Sequence, residues 1–204
     1  MGILVTFEGI EGSGKSTQID LTEKYLEERG YPCLVTREPG GTPLGEEIRR
    51  FLLDKDDLRI DPLAELFLIE ADRIQHVAEV IRPALEEGRM VLCDRFADAT
   101  VAYQGYGRGM DLTFIEEMNL RATGGLIPQC TIVLDCSVKK GMARARGEDR
   151  FEREDHLFHE KVREGYLRIA RQEPERVKVI SAEGTQEAIQ DEIRKILLPF
   201  VDGR

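Results

Sequence analysis

Five short apolar runs recur along the chain, at Ile3–Phe7, Cys33–Thr36, Met90–Cys93, Thr131–Leu134 and Val177–Ile180. Each is β-branched and apolar on consecutive positions, the pattern of a strand buried on both faces. Segments of helical period lie between them. One covers Ser16 to Arg29 and stops at Gly30, with Tyr31-Pro32 beyond it; glycine takes the left-handed turn at a helix end, and proline cannot continue the helix. A second opens at Asp61-Pro62, an N-cap acceptor followed by proline at the first helical position. Leu63, Leu66, Phe67, Ile74, Val77, Ile81 and Leu85 then form one stripe, either core or a dimer face, with a bend at Pro83. Phe158, Val162, Leu167 and Ile169 mark a third helix, and Ala188 to Leu198 a fourth. Strands alternating with helices call for right-handed crossovers. The expected fold is therefore α/β: a three-layer sandwich with a five-stranded parallel sheet and helices on both faces. No repeat, low-complexity tract or flexible linker interrupts residues 1–204, which read as a single domain.

Size and charge narrow the function. A chain of 204 residues with 41% apolar content can bury roughly 70% of its unfolded surface, enough for a core without staples. Twenty-nine Lys and Arg against 39 Asp and Glu leave a net charge of −10, which argues against nucleic acid or an anionic membrane as partner. No apolar run is long enough to span a bilayer, and the first residues lack a basic, apolar leader. Cys33, Cys93, Cys130 and Cys136 form no Cys-x-x-Cys pair, so they read as buried reduced thiols. A cytoplasmic enzyme or nucleotide-binding protein fits all of this.

The chemistry begins directly after the first strand. Gly9-Ile10-Glu11-Gly12-Ser13-Gly14-Lys15-Ser16 matches G-x-x-x-x-G-K-[ST], the P-loop of the P-loop NTPases. Backbone N–H groups of such a loop surround a phosphate, and the following helix adds partial positive charge. Gly12 and Gly14 allow the close approach, Lys15 reaches the β- and γ-phosphates, and the Ser16 hydroxyl holds Mg²⁺. The loop alone does not identify a kinase. Ras-like GTPases share it but read guanine with Asn-Lys-x-Asp, which is missing here. A non-catalytic ATP-binding switch protein remains open, as does a kinase of another small nucleotide or deoxynucleoside.

Three further clusters point to a second substrate. Strand three ends in Asp94-Arg95-Phe96, at the sheet edge where open α/β folds bind ligands. Thr100 and Tyr103-Gln104-Gly105-Tyr106-Gly107-Arg108 follow, and the helix before that strand carries Phe67 and Asp72-Arg73. Between Lys139 and Arg153 stand six Lys and Arg against three Asp and Glu, a local +3 in an acidic chain. Two phosphates brought together repel, by about 4 kcal/mol per pair of unit charges at 4 Å and an effective dielectric of 20, so such a reaction needs concentrated cations. The histidines are read as bystanders: His156 and His159 on the surface, His76 structural.

With these motifs in order, the chain resembles bacterial thymidylate kinases. The resemblance rests on Phe7 to Gln18 around the phosphate loop, Thr36-Arg37-Glu38-Pro39-Gly40-Gly41-Thr42, Asp94-Arg95-Phe96 and Tyr103-Gln104-Gly105. It implies transfer of a phosphoryl group from ATP to dTMP with Mg²⁺, in dTTP synthesis, by a homodimer. Carried over residue by residue, it implies an ATP site of Gly9, Glu11, Gly12, Ser13, Gly14, Lys15, Ser16, Thr17 and Arg144 or Arg146. It implies a dTMP site of Glu11, Arg37, Phe67, Arg73, Arg95, Thr100, Tyr103 and Gln104, with Phe67 stacked on thymine and Arg73 on its edge. Ser16 and Asp94 fall at the metal, and Lys15, Arg95 and Arg150 at the transfer itself. Some relatives carry an arginine inside the phosphate loop, where this chain has Gly12. Members lacking it place the arginine in a lid, here about 139–154, so the resemblance assigns Arg150 to the transferring group.

Overall fold

The computed structural model describes residues 2–53, 59–145 and 149–201 of the 204. Its centre is a five-stranded, all-parallel sheet of β1 (Ile3–Glu8), β2 (Cys33–Arg37), β3 (Met90–Asp94), β4 (Cys130–Asp135) and β5 (Val177–Ser181), in the order β2-β3-β1-β4-β5. All five apolar runs are strands, each extended by a residue or two. The chain leaves β1 toward β2 and β3 on one side and later returns to β4 on the other. The reversal of direction at β1 opens a crevice at the strands' carboxyl ends. In the register, Phe7 and Arg37 both pair with Asp94. Glu8, Arg37 and Asp94 therefore reach the same edge.

Alternating strand positions serve two cores. Val5, Phe7, Met90 and Leu92 pack with Ile19 and Leu26 of α1 (Lys15–Glu27) and Ile193 and Leu197 of α9 (Gln186–Val201). Leu4, Val91 and Cys93 turn the other way, against Val77, Ile81 and Leu85. Between these layers run α2 (Pro43–Leu53), α3 (Pro62–His76), α4 (Arg82–Glu86), α5 (Ala97–Thr100), α6 (Leu112–Thr123), α7 (Val138–Arg144) and α8 (His156–Gln172). Helices cover both faces, as expected.

The single stripe expected on α3 is in fact two. Leu66, Val77, Ile81 and Leu85 are buried, whereas Leu63, Phe67 and Ile74 are 42%, 50% and 53% exposed. A π-helical turn at Val77–Ile81 separates α3 from α4, and Arg82 N–H donates to the carbonyl of Val77, five residues back. One such turn accommodates an extra residue and so rotates the following helix by about 100°. Ile81 and Leu85 swing away from the Phe67 line onto the core side. The four cysteines are buried and free. His76 is buried between Thr36 and Glu38. His156 is exposed beside Glu160. His159 departs from expectation: it lies fully buried next to Phe158, because residues 158, 159, 162 and 166 share the inward arc of α8.

Candidate active site

The loop between β1 and α1 takes its shape from glycine. Gly14 caps α1 with φ 95°, and Gly12 has φ 69°, both in the left-handed region that side chains avoid. Gly12 has a second constraint. A Cβ there would lie 2.1 Å from the carbonyl oxygen of Gly141 in α7, and a Cβ on Gly141 would lie 2.6 Å from the carbonyl of Glu11. The two glycines let the lid-side helix rest directly on the phosphate loop. Lys15 is buried and its Nζ donates to the carbonyls of Gly9 and Ile10, at 3.2 and 3.1 Å. Burial, followed by the repulsion of Arg95, lowers its pKa from the ordinary lysine value.

A cavity of about 740 Å³ opens above this loop. Glu11, Gly12, Ser13, Gly14, Lys15, Ser16 and Thr17 form its floor; Gly9 lies behind them and contributes its carbonyl to Lys15 and Arg95. Six cations line it (Lys15, Arg37, Arg49, Arg73, Arg95 and Arg144) against four carboxylates (Glu11, Glu38, Asp94 and Asp149). The lining is thus net positive inside a chain of −10, as a site for two phosphorylated ligands requires.

Arg95 holds the centre. Its backbone takes φ 68° just after β3, an unusual conformation for a long side chain, pinned by Arg95 N–H to the Phe7 carbonyl and Phe96 N–H to Glu8. Its guanidinium donates to the Gly9 carbonyl at 3.0 Å and the Tyr166 hydroxyl at 3.1 Å, and pairs with Glu11. Tyr103 lies under it, 4.8 Å from ring centre to guanidinium carbon. Burial by itself would raise the Glu11 pKa, but Arg95 and Lys15 together hold it down at about 2. Glu8 is the opposite case: fully buried and near Asp98, it is pushed up to about 8. Two carboxyl groups three residues apart thus sit on either side of the usual range.

Most expected residues converge here. Thr100, Tyr103, Gln104, Arg73 and Arg37 line the cavity, as do Ser16 and Asp94, whose Oγ and Oδ2 are 3.4 Å apart. Ala182, Gly184 and Gln186 close the end beyond the phosphate loop. Two expected side chains lie outside the cavity. Phe67 is half exposed outside the cavity; Ile69, about 200° around the helix, lines it instead. Arg150 does not line the cavity either: it donates to Glu65 at 2.6 Å and to the Leu52 carbonyl at 3.1 Å. Arg144 lines the cavity from that segment, and Arg146 lies outside the described residues. Arg49 was not foreseen. Its place in the charged run Glu46-Glu47-Ile48-Arg49-Arg50 looks like a solvated helix face, yet it lines the cavity and donates to the Pro39 carbonyl.

The family model for thymidylate kinase matches residues 7–193. The chain belongs to the thymidylate kinase family. It is 51% identical to the thymidylate kinase of Geotalea daltonii, over 100% of this chain and 98% of that one. It is 50% identical to that of Syntrophotalea carbinolica, over 93% and 92%. The crystal structure of thymidylate kinase from Ehrlichia chaffeensis superposes with a TM-score of 0.83 at 35% identity, covering 96% of this chain and 98% of that one. Family membership and the β1 phosphate loop together identify the fold as that of the P-loop NTPases. A non-catalytic switch and a kinase of some other acceptor are both disfavoured by the match along nearly the whole chain.

Proposed function

We propose that this enzyme transfers the γ-phosphoryl group of ATP to dTMP, giving ADP and dTDP. The observation that carries the proposal is a net-positive cavity with a phosphate loop at its floor and Arg95 at its centre, in a chain of this family. ATP lies along Glu11–Thr17, and Lys15 exchanges its two carbonyl partners for phosphate oxygens. Arg95, with Arg37 and Arg49 beside it, receives the dTMP phosphate. An oxygen of that phosphate, ionised near neutral pH, forms the new bond to the γ-phosphorus as the bridging bond to ADP breaks. No strong base is needed, so the protein contributes position and charge. Thr100, Gln104 and Arg73 face the base, Tyr103 crowds the sugar and Ile69 lies flat against the ring.

Mg²⁺ fits the residues present. Asp94 Oδ1 is buried without a hydrogen-bond partner among the described residues and Ser16 Oγ is nearby, so both donors are the hard oxygens this ion takes. Magnesium ordinarily completes its shell with water and substrate phosphates, and when bound it neutralises the charge that gathers on them. The described residues of the 139–154 segment act as a lid, with Arg144, Asp149 and Phe151 over the cavity and Arg144 rather than Arg150 reaching the phosphates. We place the enzyme in the cytoplasm, where no nucleic acid or membrane partner is expected; among the described residues no helix is long and apolar enough to cross a membrane. The working unit is a homodimer.

Release of ADP in the presence of a panel of nucleoside monophosphates tests the assignment. Turnover with dTMP, and more weakly with dUMP, is expected. Turnover confined to another acceptor, or none despite tight ATP binding, would overturn it.

A further inference from the structure

Glu65, in α3, is fully buried and saturated. Its Oε1 accepts from Gln104 Nε2 at 2.8 Å and Arg108 Nε at 3.3 Å; its Oε2 accepts from Arg150 Nη2 at 2.6 Å and Arg108 Nη2 at 3.3 Å. These are the four lone-pair positions of a carboxylate, three of them taken by arginine. An ion-paired carboxylate only accepts hydrogen bonds. Gln104 must therefore turn its amide NH₂ toward Glu65 and its carbonyl oxygen the other way, and that oxygen has no partner among the described residues. Turning the amide over would set two acceptors against each other in a buried site and leave the NH₂ group unpaired.

Arg73 is held by the same logic at a second point of the cavity. Its Nε donates to Glu38 at 2.8 Å and its Nη1 to Glu70 and Asn119, which leaves Nη2 as a donor without a partner among the described residues. Gln104 and Arg73 thus offer the cavity one acceptor, Oε1, and one donor, Nη2, beside the Thr100 hydroxyl, which can act as either. A 4-keto pyrimidine presents N3–H and O4, a donor and an acceptor. A 4-amino pyrimidine presents N3 and N4–H₂, the reverse. We propose that Glu65 is a positioning residue that sets the pyrimidine preference, by fixing which end of the Gln104 amide meets the base. Thymine and uracil are admitted and cytosine rejected because Glu65 cannot donate. The inference rests on Gln104 and Arg73 facing the base, as proposed above.

Glu65→Gln is the direct test, because glutamine offers both a donor and an acceptor and frees Gln104 to turn over. The ratio of kcat/KM for dTMP to that for dCMP should narrow at least tenfold, with KM for ATP within twofold of the parent. A uniform loss of activity with the ratio unchanged would mean that Glu65 only supports the fold, and would overturn the proposal. A second measurement is read on the unmodified enzyme and does not depend on Glu65→Gln folding. The Gln104 side-chain amide signals, assigned by their loss in Gln104→Ala, should be protected from exchange and shift little when dTMP binds, since Nε2 faces Glu65. A large Nε2 shift on dTMP binding would show the NH₂ end meeting the base and overturn it. If the parent enzyme failed to phosphorylate dTMP at all, the acceptor assignment would fall and this inference with it, a result distinct from an unchanged ratio.

Discussion

Single residues decide how the two anions are held. At Gly12 both the φ of 69° and the 2.1 Å approach to the Gly141 carbonyl exclude a side chain. Gly12→Ala should raise KM for ATP at least tenfold by lifting the loop off α7, and initial-rate kinetics at saturating dTMP will show it. Arg144 lines the cavity and Arg150 does not, so Arg144→Ala should lower kcat more than Arg150→Ala; the reverse order would restore the role first given to Arg150. The two shifted glutamates give opposite pH dependences. Glu8 has its native pKa raised to about 8 by burial, then by Asp98, so unfolding releases a proton at any pH between about 4.5 and 8. Its contribution to stability is therefore lost as pH rises through that window. Glu11, held down at about 2, contributes stability above about 4.5 that is lost as pH falls toward 2. In denaturant titrations, the stability of Glu8→Gln relative to the parent should grow between pH 5 and pH 8. A flat difference would mean that Glu8 titrates normally.

Elements follow local signals where those signals are complete. All three helices with an aspartate N-cap, α3, α6 and α8, show the side chain of Asp61, Asp111 or Asp155 accepting from a first-turn N–H. Removing one such cap costs about 1 kcal/mol, so Asp155→Ala should lower the melting temperature by roughly 2–4 °C for a domain of this size. Scanning calorimetry checks it. Only the α3 cap stood out in the sequence, because Asp61-Pro62 is an unusually explicit start. The five strands were legible because parallel strands are apolar on both faces. The helices α2, α5, α6 and α7 were not. α5 and α7, at four and seven residues, are too short for a helical period to repeat, and the exposed Leu44 and Phe51 of α2 and Leu120 of α6 blur the line between core face and solvent face. The π-turn at Val77–Ile81 was also invisible: nothing in the spacing says where a helix takes up an extra residue.

At the scale of the whole molecule, that turn has a consequence for assembly. It leaves Leu63, Phe67 and Ile74 together on the outer side of α3, next to α6, where Leu120 is 60% exposed. Apolar side chains spaced four and seven apart on one helix form a continuous ridge, and in the homodimer proposed above a second copy of the chain would supply a matching one by two-fold symmetry. Light scattering should give a mass twice that of the chain, and Phe67→Glu should shift it to a monomer with its thermal transition retained. A monomeric parent would remove this support for the dimer. Phe67, first expected on the base, belongs instead to this outer ridge.

The strand runs, the phosphate loop and the order of the motifs were determined by sequence alone, because each depends on neighbours within a few residues. A loop that must wrap a phosphate needs its glycines and lysine at set spacings, and no distant contact can change that. Which arginines reach the cavity was decided only in three dimensions. Arg49 points in and Arg150 points away because helix rotation, crossover length and the buried carboxylate of Glu65 set their directions, and all three are products of packing between segments far apart in the chain.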